Sequence, residues 1–166
     1  MTQKADGMHY APRGQVEPVC GPGEFRFAAV GLDHGHIYGM CNGLIEAGGE
    51  LVWVYDPDPS KMEAFCRTYP GVAQARAEAE VLEDPSLALI ASAPVPCQRG
   101  PLGLRTLDHG KDYFTDKPPF TTLEQLELAQ KAGDGNFYEQ SQVDSRLREM
   151  KMRLVEEAKQ AKEAKK

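Results

Sequence analysis

FRFAAVGLDHGH, residues 25–36, is the stretch on which the reading of this chain turns. Phe25 to Val30 is a short apolar run of β type that stops at Gly31. Beyond it Ile37, Met40, Cys41, Leu44 and Ile45 recur at i, i+3, i+4, i+7 and i+8, the stripe of a buried helix face. Gly48–Gly49 closes that helix. A strand, a glycine turn and a helix in this order begin a βαβ unit, and the free N–H groups at such a helix start suit a pyrophosphate. Gly31, Asp33, His34, Gly35 and His36 are therefore candidate cofactor-binding positions. Against the G-x-G-x-x-G spacing, Asp33 stands at the second glycine and His36 at the third, while Gly35 falls one position early. A tight strand-to-helix turn with no ligand accounts for the same residues.

Outward from this turn the alternation continues. Leu51–Tyr55 (LVWVY) is a nearly continuous apolar run, as in a strand covered on both faces. Asp56 follows it, twenty-five residues after Gly31. An acidic residue about 20 positions beyond the glycine turn can accept hydrogen bonds from the adenosine ribose, and its charge opposes a 2′-phosphate, which favours NAD over NADP. The plainer alternative is that Asp56 begins an Asp-Pro turn. Asp58 is placed to cap the next helix, with Pro59 at its first position, and that helix ends before Pro70. A brief strand is expected near Val72, a short helix over 77–83 and a buried strand over 87–91. A helix over 101–108 and a strand over 112–115 follow. Thr122 opens a further helix with the T-x-x-Q capping spacing, and 136–143 reads as a sixth strand. Strands alternating with helices predict an α/β fold: a doubly wound parallel sheet, Rossmann-like, in three α/β/α layers, with a C-terminal helical tail. The expected divisions are an arm over 1–24, a dinucleotide-binding domain over 25–143 and a charged helix over 144–166.

Charge and cysteine usage narrow the classes. The 166 residues carry a net charge of −6, which argues against a partner read through its phosphates, so no nucleic acid is expected. No apolar run approaches the roughly 18 residues of a membrane-spanning helix, and no membrane partner or secretory leader is expected. Cys20, Cys41, Cys66 and Cys97 lie apart with no CxxC spacing, pointing to reduced thiols and a cytoplasmic protein. The tail over 144–166 carries +3 and the rest of the chain −9. Asp33, His34, His36 and the distant Asp108–His109 invite a metal reading. Two histidines two apart at a helix start are expected to project in different directions, however, and no metal site is predicted.

The segments AAVGLDHGHIYG, VYDPDPSKMEAF, EVLEDPSLALIASAP and, most specifically, HGKDYFTDKPPFTTLEQ resemble the nucleotide-binding half of the Gfo/Idh/MocA family. This is the glucose–fructose oxidoreductase and inositol dehydrogenase group. The resemblance runs from Phe25 to about Ala132, and Asp116-Lys117-Pro118 is similar to the family's Glu-Lys-Pro motif. It implies that Gly31 begins the pyrophosphate turn, that Asp56 holds the adenosine ribose, and that Ser92, Ala93 and Pro94 pass beside the dinucleotide. Lys117 would lie near the nicotinamide and the substrate hydroxyl, as the catalytic residue, where a cation stabilises developing negative charge. Arg99 stands where many relatives have histidine.

The function implied is the NAD-binding domain of an oxidoreductase that transfers hydride to or from a sugar or polyol hydroxyl. Because the family's second, substrate-binding domain does not follow in this sequence, the chain alone is expected to bind the dinucleotide without turnover. A small polyol or sugar substrate is then expected only if a substrate domain is supplied, and self-association through the exposed former domain interface is a further expectation. A non-catalytic nucleotide-binding or interaction module, or an inactive truncated product, is the alternative.

Overall fold

The structure, a computed structural model, describes residues 17–131. The expected sixth strand, the charged tail and most of the N-terminal arm lie outside the described residues. In chain order the elements are β1 (Arg26–Val30), α1 (His36–Glu46), β2 (Glu50–Tyr55), α2 (Pro59–Thr68) and β3 (Ala73–Gln74). They continue with α3 (Glu78–Leu82), β4 (Leu89–Ser92), α4 (Pro96–Asp108), β5 (Asp112–Thr115) and α5 (Leu123–Lys131). The five strands form one sheet in the order β3-β2-β1-β4-β5, and every pair is parallel. Strand order reverses between β1 and β4. Parallel crossovers are right-handed, so this reversal places α1 and α2 on one face and the helix after β4 on the other. The expected doubly wound α/β fold is the one observed.

Phe27, Ala28 and Ala29 in β1, with Ile90 and Ala91 in β4, are wholly buried at the centre of the sheet. Ile37 and Cys41 of α1 and Met62 and Phe65 of α2 cover one side. The ring of Phe65 lies 5.4 Å from that of Tyr38 and 4.7 Å from that of Tyr69, an aromatic layer between the two helices. Burial pushes the Cys41 thiol up to about 12, so it is a small apolar side chain rather than a nucleophile. Ile45, expected on the buried stripe, is 39% exposed because the stripe drifts around α1 toward its end. β2 is less enclosed than its apolar run predicts. Only Val54 is fully covered, since the β3 beyond it has two residues.

Two helix ends follow their side chains closely. Asp58 caps α2 by accepting from the Ser60 N–H at 2.9 Å, with Pro59 at the first position as expected. The helix expected to start at Pro101 begins five residues earlier, at Pro96, and holds Pro101 inside it. A proline there leaves the carbonyl four residues back without its helical donor. That carbonyl, of Cys97, accepts instead from the Gln125 side-chain amide at 3.0 Å. The same Gln125 donates its backbone N–H to the Thr122 hydroxyl at 3.2 Å, the expected cap of α5. Its side-chain oxygen accepts from the N–H of Thr121 rather than from that of Thr122.

The aromatic layer sets a stability test. Phe65→Ala removes a fully buried ring, and the cavity it leaves should lower stability by about 3–5 kcal/mol in urea denaturation. A loss below about 1 kcal/mol would show that α1 and α2 repack freely over the sheet.

Candidate functional site: the crevice at the strand ends

Register aligns the carboxyl ends of four strands. Val30 pairs with both Tyr55 and Ser92, and Ser92 pairs with Thr115. The next residue of each strand, Gly31, Asp56, Ala93 and Asp116, therefore falls in one row along the sheet edge. These are the positions singled out from the sequence, and the row crosses the switch point, where open α/β sheets bind ligands.

The turn after β1 is stitched to its neighbours. Gly31 donates to the Tyr55 carbonyl at 3.0 Å and accepts from the Ala93 N–H at 3.0 Å, and the His34 N–H reaches the Ala93 carbonyl at 2.9 Å. Gly31 has φ +75°, and a Cβ there would stand 2.9 Å from the Pro94 Cβ, so only glycine allows β1 to turn against this proline. No hydrogen bond engages the amides of Asp33 and Gly35 among the described residues. Nothing lies within 4 Å of where a Gly35 Cβ would be, so the helix start opens onto free space.

Asp56 is 3% exposed. One carboxylate oxygen accepts from the Leu32 N–H at 2.7 Å and the other from the Asp58 N–H at 2.9 Å. Lys61, on the first turn of α2, stands 3.6 Å from it and 2.5 Å from Asp33. The second oxygen of Asp33 accepts from the Val95 N–H at 3.0 Å. The Lys61 bond holds the Asp33 carboxyl below its ordinary value, despite some opposing burial. The carboxylate at the second fingerprint position is thus turned toward Lys61 and Val95, leaving the turn able to receive a phosphate.

On the other side of the switch point Ser92, Ala93 and Pro94 are buried. The Ser92 hydroxyl accepts from the Tyr113 phenol at 3.2 Å. Asp116 accepts from the Lys117 N–H at 2.8 Å and from His36 Nδ1 at 2.9 Å, and His34 Nδ1 lies 3.6 Å away. Burial acts to raise the Asp116 carboxyl, but His36, the Lys117 N–H and Arg99 outweigh it and hold it below its ordinary value. The two imidazoles thus turn to one carboxylate rather than in different directions, because the turn between them brings their rings to 4.1 Å. Asp33 and the Asp108–His109 pair are not part of that group. Lys117 is exposed, and no ion pair engages its ammonium among the described residues.

Lys61 is a site residue that the sequence reading did not name, and Arg99 is one it named without a role. Lys61 could have been found as the third residue of a capped helix five positions after Asp56. Arg99 is 3% exposed, and its guanidinium donates to the carbonyls of Pro94 at 2.9 Å, of Pro118 at 3.4 Å and of Lys117. It joins the loop after β4 to the loop after β5, a tertiary contact that no local pattern announces.

A glycine turn at the switch point, an acid ending β2 and a proline loop after β4 define a dinucleotide-binding Rossmann domain. Residues 19–135 match the model of the oxidoreductase family with an NAD-binding Rossmann fold, GFO_IDH_MocA. The chain belongs to this Gfo/Idh/MocA family. An oxidoreductase structure from Erwinia carotovora atroseptica is 50% identical with a TM-score of 0.64, matching 66% of this chain and 33% of its own. The myo-inositol dehydrogenase of Lactobacillus casei, solved with NAD(H) and myo-inositol, is 24% identical with a TM-score of 0.57, over 64% and 32%. The WlbA dehydrogenase of Chromobacterium violaceum, solved with NADH and UDP-GlcNAcA, is 22% identical with a TM-score of 0.57, over 70% and 35%. The chain thus spans about a third of the length of these relatives. No curated protein sequence matches it. Among the described residues no helix is long and apolar enough to cross a membrane.

Two measurements follow from the charges. Asp56→Asn leaves one of the two backbone N–H donors without an acceptor, and stability should fall by about 1–3 kcal/mol. An unchanged urea midpoint would show that the buried carboxylate does not hold the turn. Asp33 and Asp116 are both held below the ordinary carboxylate value of 3.8. Their contribution to stability should be complete above about pH 4 and be lost as pH falls through the depressed values. In Lys61→Met the Asp33 share should disappear, flattening the acid limb. An identical limb would remove Lys61 as its cause.

Proposed function

We propose that this crevice binds NAD(H) as the cofactor half of an enzyme that moves hydride to or from a sugar or polyol hydroxyl. The observation that carries the reading is the row of Gly31, Asp56, Ala93 and Asp116 across the switch point. In this reading the pyrophosphate lies over Gly31, Asp33, His34, Gly35 and His36, where the helix start supplies N–H donors and positive potential. Asp56 stands beside the adenosine ribose, and Ser92, Ala93 and Pro94 form the wall that the dinucleotide passes. Lys117, within the motif Asp116-Lys117-Pro118, is the catalytic group that stabilises charge on the substrate oxygen. When bound, the nicotinamide would accept the hydride in its oxidised form or donate it in its reduced form. Turnover requires the substrate held against it, a task assigned to a substrate domain in the same or another chain. The complexes of the L. casei and C. violaceum dehydrogenases with NAD(H) or NADH support this reading. Four free thiols support a reducing, cytoplasmic setting.

Asp56 and Asp33 place two carboxylates against one ammonium, Lys61, where a 2′-phosphate would come. NADH should therefore bind with 1:1 stoichiometry in calorimetry, and NADPH about tenfold more weakly, the ratio of a charge repulsion near 1.4 kcal/mol. Equal or reversed affinities would remove Asp56 from the ribose. Lys117→Ala should weaken NADH by less than about fivefold, as for an exposed charge contact. In a chimera carrying a relative's substrate domain, the same change should lower kcat by about 10²–10³. An undiminished kcat there would make Lys117 an ordinary surface lysine.

A further inference from the structure

We propose that His34, His36 and Asp116 form a binding site for a divalent transition-metal ion of the imidazole-preferring class, with zinc as its type. The three residues offer ligand atoms that all lie within 4.8 Å of one another. Zinc bound to nitrogen and oxygen at about 2.0–2.2 Å in tetrahedral geometry sets its ligand atoms roughly 3.3 Å apart. His36 Nδ1 stands 2.9 Å and His34 Nδ1 3.6 Å from Asp116 Oδ2, on either side of that value. Small rotations of the two exposed rings bring the set to the metal without moving the backbone.

The donors are held in place from behind. Asp116 Oδ1 accepts from the Lys117 N–H, which leaves Oδ2 directed at the histidines. His34 Nδ1 accepts from the His36 N–H at 3.2 Å, so it is the unprotonated nitrogen of that ring, and metal binding exchanges this one weak bond for a ligand bond. For a metal to bind at Nδ1, the proton that His36 shares with Asp116 passes to the exposed Nε2 of the ring, or to water if the ring is already protonated there. Three protein ligands leave at least one position for water or a ligand oxygen, the pattern of an open site.

Arg99 sets the selectivity. Its guanidinium stands 3.6 Å from Asp116 Oδ2 and is fixed by the carbonyls of Pro94, Lys117 and Pro118. A cation that depends on oxygen ligands and charge, such as Mg²⁺ or Ca²⁺, meets this positive neighbour with a single carboxylate. Zn²⁺ or Co²⁺ gains two imidazole bonds that offset it. The inference stands on these residues alone and does not depend on the dinucleotide reading, although a metal here would share His34 and His36 with the pyrophosphate turn and Asp116 with the nicotinamide edge.

The test uses the whole chain, reduced and chelator-washed, in two titrations. Calorimetry with Zn²⁺ should give one site per chain, and Co²⁺ should bring up visible ligand-field bands with no thiolate charge-transfer band. Mg²⁺ and Ca²⁺ in excess should not compete. His36→Ala and Asp116→Asn, checked for folding by circular dichroism, should each weaken Zn²⁺ by about tenfold or more. The double variant His34→Ala/His36→Ala should abolish the cobalt spectrum. No saturable Zn²⁺ binding, a thiolate band, or affinity retained in the folded double variant would overturn the proposal. A separate NADH titration in chelator distinguishes this failure from failure of the cofactor reading.

Discussion

The buried carboxylate of Asp56 is the constraint on which the crevice depends. An ionisable group that is 3% exposed needs its oxygens satisfied, and here both accept backbone N–H groups, from Leu32 and Asp58. Those two donors belong to different segments, the turn after β1 and the entry to α2. One side chain thus fixes the start of the turn after β1 relative to the end of β2. On the opposite flank the contact between Gly31 and Pro94 and the two hydrogen bonds of Ala93 do the same for β4. With both flanks set, the strand ends fall in register and the edge residues become a site.

The charge at the second fingerprint position shows how such a frame absorbs a change. Asp33 in place of glycine brings a carboxylate to where phosphate is expected. Lys61 and the Val95 N–H take up both of its oxygens, so the substitution carries its own counter-ion. Lys61 also faces Asp56 at 3.6 Å, so two carboxylates share one ammonium there.

Most of the fold was legible because local and tertiary preferences agree. The β1 run, the stripe of Ile37 and Cys41, the Asp58 cap with Pro59 and the β5 strand each carry a signal within a few residues. The start of α4 was not legible, because Pro101 reads as a boundary unless Gln125, 24 positions later, is known to take the Cys97 carbonyl. The same holds within the site. Gly31 and Asp56 follow from spacing, whereas Arg99 depends on carbonyls 18 and 19 residues further on and the turning of His36 to Asp116 on a contact across 80 residues of chain. Sequence patterns report the backbone path well and the partners of long polar side chains poorly.

A crystal structure of the chain with NADH decides whether the row of strand ends is a dinucleotide site. The pyrophosphate should lie over the Gly31–His36 turn, the adenosine ribose beside Asp56 and the nicotinamide toward Lys117. Electron density for NADH elsewhere on the chain, or with the ribose away from Asp56, would contradict it.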